Sequence, residues 1–150
     1  MGKITQILKE HKWAVFLAFL AVIMIAYPQV YLRYNLGDSY EGIELMGTPD
    51  EMPWLSRVRE AQDGHPSLSC VYFKDGKNDP YLLQPLGTAM IAFLGKIFSL
   101  GLNDTLLLSR LFFSFFFFLI IYAFIFLFSK EKLTALAATT ALILGRDIFG

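Results

Sequence analysis

Asp50 and Glu51 are the side chains of this chain best suited to chemistry. A carboxylate can take a proton from an attacking hydroxyl or bind a hard divalent cation, and its neighbour can share either task. Arg57 and Arg59 follow within a few residues, and a planar guanidinium can grip a phosphate in two places. His65, behind Gly64, could polarise a hydroxyl or hold a proton, although a histidine before a proline also suits a simple turn. Arg110 stands at the head of a long apolar run, where a charge commonly has a partner or a task. Each candidate has a plainer role beside the chemical one. Thr48-Pro49-Asp50-Glu51 matches the capping-box pattern, and the free N–H groups and dipole of a helix start favour negative charge, so the pair could simply begin a helix. With Thr48 as cap, however, Pro53 would break a ladder bond, so the helix is expected to begin later, leaving Asp50 as cap or free in the loop. Arg57 and Arg59 could equally be surface arginines with buried stems.

The elements that must hold these groups are set by two apolar runs. Trp13 to Leu32 carries no charge and is preceded by Lys3, Lys9 and Lys12; as a helix it covers roughly 30 Å, the hydrocarbon thickness of a bilayer. Its apolar core is longer than that of a usual signal peptide, and Met24-Ile25-Ala26 does not place small residues at both cleavage positions, which favours a retained anchor. Leu111 to Phe128 is the second run, about 27 Å as a helix, apolar on every face, its phenylalanines suited to packing against lipid. Leu133 to Leu144 is shorter and rich in alanine, which lets neighbouring helices approach closely. The composition agrees, with 55% hydrophobic and 16% aromatic residues, more than a soluble domain of this length carries. The zero net charge combines a basic start with an acidic middle, and no basic, aromatic-laced surface for nucleic acid is present. Cys70 is the sole cysteine, which excludes an intrachain disulfide. Internal repeats, phosphate-cradling glycine loops, histidine zinc motifs and Ser-His-Asp patterns are absent from the sequence.

Topology follows from the lysines. Those before Trp13, with Lys130 and Lys132, belong on the cytoplasmic side, and two crossings satisfy both groups. Tyr81 to Leu102, interrupted by Pro85, Gly87, Gly95 and Gly101, therefore reads as a re-entrant or interfacial helix on the outer leaflet. Residues 33–80 hold nine Asp or Glu against five Lys or Arg, which suits an outward loop. Within it, Pro53 to Gly64 predicts a short amphipathic helix, with Trp54, Leu55, Val58 and Ala61 opposite Arg57, Arg59, Glu60 and Asp63. Lys74 to Pro80 is turn chemistry.

This order of features, a basic start, one span, and a loop opening on Asp-Glu, then an aromatic residue and an arginine-rich helix ending in Asp63-Gly64-His65, resembles the front end of polytopic GT-C class glycosyltransferases. Gln84-Pro85-Leu86 is similar to the Pro-Pro-Leu that opens the family's second loop helix. Leu108-Ser109-Arg110-Leu111 is similar to the Ala-Leu-Arg-Leu at the start of its second span. The resemblance extends from Trp13 to about Arg146 and is closest in kind to protein mannosyltransferases. It implies that Asp50 is the catalytic carboxylate acting on a dolichyl- or undecaprenyl-phosphate sugar donor; by their own chemistry Glu51 would be a supporting acid or second ligand, Arg57, Arg59 and Arg110 the outward cations available for the donor phosphate, and His65 a group for a substrate hydroxyl. A divalent metal on Asp50 is an option rather than a requirement. Gln84 in place of a first proline, and Trp54 where members often have Tyr, depart from the pattern and bear on subfamily. Arg146-Asp147 falls where the resemblance puts substrate-contacting residues of the next outer loop, without a complete motif.

The expectation is an all-α integral membrane protein of the cell membrane: transmembrane helices, an extracytoplasmic loop with amphipathic and interfacial helices, and a cytoplasmic amino terminus. The 150 residues form one membrane domain, expected to be the amino-terminal portion of a longer enzyme that uses many more spans. Its partners are the lipid-linked sugar donor and the surrounding lipid. The rival readings are a non-enzymatic assembly subunit with an acidic loop, and a transporter fragment. The second is disfavoured because both clear spans lack ionisable residues at mid-depth.

Overall fold

Long apolar segments leave the helix as the way to satisfy backbone N–H and C=O groups locally. The computed structural model describes residues 2–42, 51–65, 67, 77, 79–80 and 84–145, and every regular element among them is a helix. The order is α1 Gly2–Glu10, α2 Lys12–Leu36, a 3-10 turn Gly37–Ser39, α3 Glu51–Gln62, α4 Leu86–Ile97, α5 Leu102–Ser129 and α6 Lys132–Leu144. Two of these, α2 and α5, are long and apolar enough to cross a membrane. The chain divides into two compact units, one of Met1–Pro28 with Arg110–Gly150, the other of Gln29–Ser109.

Several bounds differ from the apolar runs for identifiable reasons. The basic start forms α1, which breaks at His11, where the chain turns into α2. α2 continues past Leu32 and takes in Arg33, a cation in the last turn, where the helix dipole favours it. α5 begins at Leu102, well before Leu111, because its opening turns are polar and a search for apolar runs does not see them. α4 is shorter than Tyr81 to Leu102. It starts behind Pro85 and closes with Ser99 N–H donating to Lys96 O at 3.3 Å and Leu100 N–H to Gly95 O at 2.9 Å. That double closure is the Schellman motif, with Ser99 at φ 51° where glycine is usual.

In the first unit, small side chains meet large ones. Ala14, Ala18 and Ala21 recur at helical spacing on α2 and are buried against Tyr122 and Phe118 of α5, with Ala135 of α6 beside them. Phe19 and Phe115 add a tilted ring pair at 4.7 Å. Other rings of the phenylalanine run, Phe116 and Phe117, face outward. A polar link closes one end, where His11 Nδ1 lies 2.7 Å from the Tyr122 hydroxyl. Lys130 and Glu131 alone connect α5 to α6, Lys130 adopting φ 56°.

The second unit is built on a pair of parallel helices. Trp54 of α3 lies beside Gly87 of α4, Ala61 packs with Ala92, and Gln62 meets Gly95, so residue numbers rise together along both helices. The start of α5 completes this unit and makes three of its polar contacts.

Candidate functional site

Asp50, the proposed catalytic residue and metal ligand, lies outside the described residues, as do Cys70 and Arg146-Asp147. Glu51 is the first residue of α3, and its side chain is likewise outside the description. Pro53 falls in the first turn of α3, where a missing N–H leaves no ladder bond unmade. Helix start and acid pair therefore coincide in sequence.

Because α3 and α4 are parallel, their amino ends lie at the same end of the pair. α4 has Pro85 at its cap with no side chain closing it; Ala89 N–H donates to Pro85 O at 2.8 Å, and the first-turn N–H groups before it lack intrahelical acceptors. Two helix starts side by side carry about half a positive charge each. The field they create favours carboxylate or phosphate at that end.

The cations of α3 are differently engaged. Arg57 lies over the Trp54 ring at 5.4 Å and is half-buried. Arg59 Nε pairs with Asp63 Oδ2 at 3.0 Å across one turn, both side chains about half exposed. An exposed pair of this kind contributes roughly 0–1 kcal/mol, so exchanging Asp63 for a phosphate oxygen costs little. Two positions apart on one helix, the two arginines do not share a face. Arg59 and Asp63 also border an open cleft of about 350 Å³, with Gln62, Lys96, Ser99 and Leu100. Lys96 brings a cation there that the sequence reading left out.

His65 performs a structural task through its backbone. Its N–H donates to Glu60 O at 2.9 Å around Gly64 at φ 101°, the long closure of a Schellman motif. Its ring Nδ1 is buried and has no hydrogen-bond partner among the described residues. Glu60 is pinned from the other side by Lys77 Nζ at 2.8 Å. Arg110 is half-buried on α5 and belongs to the unit of Arg110–Gly150, whereas Arg57, Arg59 and His65 belong to the other. Among the described residues, no three His, Cys, Asp or Glu side chains gather into a metal-ligand set.

Sequence reasoning missed the residues that hold α3 in place. Gln62 Nε2 donates to Thr105 Oγ1 at 2.9 Å, and Thr105 Oγ1 in turn donates to Gly101 O at 2.8 Å. Asn103 Nδ2 donates to Gly42 O at 3.1 Å, and Asp104 Oδ1 pairs with Arg33 at 2.7 Å. A signal for them existed: Gly101 followed by Asn103-Asp104-Thr105 is the composition of a helix start, ahead of the apolar run. Comparison with known proteins finds no matching family model, no matching curated protein and no matching solved structure.

Proposed function

We propose that this chain carries the acidic site of a membrane glycosyltransferase that takes a sugar from a polyprenyl-phosphate donor on the extracytoplasmic face. The observation that carries the reading is the parallel pairing of α3 and α4, which brings the helix start following Asp50 beside the one opened by Gln84-Pro85-Leu86. These are two of the stretches on which the resemblance to GT-C enzymes rests, and they are separated in sequence. Membrane residence draws support from α2 and α5, where Phe16, Ile23, Ile120, Phe124 and Phe128 all present large apolar side chains outward. The lysines before Trp13 favour a cytoplasmic amino terminus.

In this reading Asp50 accepts the proton of the acceptor hydroxyl as its oxygen attacks the anomeric carbon. The bond from that carbon to the phosphate oxygen breaks, and the polyprenyl phosphate leaves as an anion. The paired helix starts and the arginines of α3 favour that anion, and the lipid tail stays in the bilayer. Glu51 supports Asp50 by holding a shared proton or hydrogen bond.

The test uses the complete protein in membranes and a radiolabelled lipid extract of polyprenyl-phosphate sugars. Asp50→Asn is expected to lower sugar release by at least about 10²-fold, the usual contribution of a general base, while membrane insertion is unchanged. Normal release by Asp50→Asn, or labelling of residue 50 from the cytosolic side alone, would end the proposal.

A further inference from the structure

The first turn of α5 makes three contacts with three different parts of its unit. Asn103 donates to the carbonyl of Gly42 at 3.1 Å, on the segment that leaves α2. Asp104 pairs at 2.7 Å with Arg33 in the last turn of α2, and Arg33 also lies over the Tyr40 ring at 5.0 Å. Thr105 is fully buried and accepts from Gln62 of α3 at 2.9 Å, directly above Gly95 of α4. Three consecutive side chains thus tie α5 to the end of α2, to the segment entering the acidic loop, and to the α3–α4 pair.

The local chemistry suits each tie. Asp104 stands at a helix start and Arg33 at a helix end, the dipole-favoured place for each charge. Gly42 has φ 81°, and the space a Cβ would need is filled by Asn103 Nδ2, so only glycine fits there. Gly95 is equally constrained, since a Cβ would meet Thr105 Oγ1 and Gln62 Nε2.

We infer that Asn103, Asp104 and Thr105 are positioning residues of the proposed site. They hold α3, which begins at Glu51 and carries Arg57 and Arg59, in one register against α4 and α5. The inference rests on the glycosyltransferase reading, because it assigns a purpose to that register. A displacement of about 1 Å at reacting groups can cost on the order of 10²-fold in rate, so a helix carrying substrate-binding cations needs such fixing.

Thr105→Val removes the hydroxyl and keeps the shape; Thr105→Ser keeps the hydroxyl. Both are made in the full chain, with Cys70→Ser and Val58→Cys supplying one buried thiol on α3 as a reporter of its release. Thr105→Val loses both the bond from Gln62 and the bond to Gly101 O, of which only the first reaches α3; its loss predicts about a fivefold rise in maleimide labelling at position 58, and Thr105→Ser near-parental labelling. Without the reporter substitutions, Thr105→Val is expected to lower turnover at sub-saturating donor extract by more than about tenfold per inserted protein, and Thr105→Ser to restore it. Faster labelling with unchanged turnover would reduce the turn to a fold-stabilising element, and unchanged labelling would refute the clamp on α3. Failure of the underlying reading has a different signature: Asp50→Asn then turns over normally, whatever the labelling at position 58 shows.

Discussion

Within each of the two compact units a different force holds the helices together. In the unit of Met1–Pro28 and Arg110–Gly150, alanines of α2 lie against Phe118 and Tyr122, a contact of shape that has little directional preference. In the unit of Gln29–Ser109, directional bonds from three neighbouring side chains of α5 fix the partners. Residues of α5 contribute to each unit, polar ties from its first turn to one and aromatic packing from its later turns to the other. Anchoring in lipid requires only that apolar area be presented and that backbone bonds be satisfied internally. A site needs atoms held to a fraction of an ångström, which hydrogen bonds with fixed geometry supply. The division of forces therefore matches the proposed division of labour.

The comparison breaks most visibly at Phe118. Its ring is fully buried among Ala18, Ala21, Leu119 and Ile143, so Phe118→Ala opens a cavity with an expected cost of about 3–5 kcal/mol. SDS titration in mixed micelles measures it as a large fall in the unfolding midpoint. A drop no greater than that of an outward-facing control such as Phe117→Ala would show that the alanine–aromatic contact does not hold the unit. Gly95→Ala is the matching test in the second unit. The new methyl group meets Thr105 Oγ1 and Gln62 Nε2 and comes to 2.7 Å from Thr105 Cγ2, for an expected cost of about 1–3 kcal/mol. Labelling of a thiol from Val58→Cys should accelerate about five- to a hundredfold, since each 1.4 kcal/mol is a factor of ten. An unchanged rate would mean that α3 and α4 part without straining at Gly95.

How far the sequence revealed these two units differs in the same way. The apolar unit was legible from periodicity: charge-free runs of membrane length announce α2 and α5, and the alanines of the last run announce a helix made for close approach. α3 was legible too, because Pro53 and Gly64 punctuate it and the Trp54, Val58, Ala61 stripe has helical spacing. What escaped is polar and long-range. The link from Gln62 to Thr105 spans 43 residues, and that from Asn103 to Gly42 spans 61. No local pattern encodes such pairs, since an exposed Asn or Thr reads the same as a buried, bonded one until the fold brings the partner. Gly95 is instructive. In the sequence it is an interruption of an apolar run; in the fold it is the gap through which two other helices join hands. The arginines of α3 were identified as substrate contacts on charge alone, whereas each also has a neighbour of its own, the Trp54 ring or the Asp63 carboxylate.

Smaller effects sharpen the contrast. Tyr122→Phe removes the hydroxyl 2.7 Å from His11 Nδ1 and leaves the ring against Ala14. If packing carries the first unit, the cost is about 0.6 kcal/mol, the mean for a hydrogen bond between membrane helices, and well under that of Phe118→Ala. A loss comparable with the Phe118 variant would instead make the His11 link the principal tie, and the two units would then be alike in kind.

Ser99→Gly has the smallest expected effect and the opposite sign. Ser99 closes α4 at φ 51°, a region that costs an L-residue about 1–2 kcal/mol and costs glycine almost nothing. Glycine gives part of that back by loosening the unfolded chain, which leaves a net stabilisation of about 0.5–1 kcal/mol. Labelling at position 58 should therefore slow by about two- to fivefold, as the end of α4 and its contact with Gln62 become firmer. Slower labelling with lower turnover would tie the Ser99 hydroxyl, which borders the cleft with Lys96 and Arg59, to substrate handling. Slower labelling with unchanged turnover would assign the strain at Ser99 to the helix turn alone. The first result extends the polar unit's role from holding α3 to contacting what α3 binds.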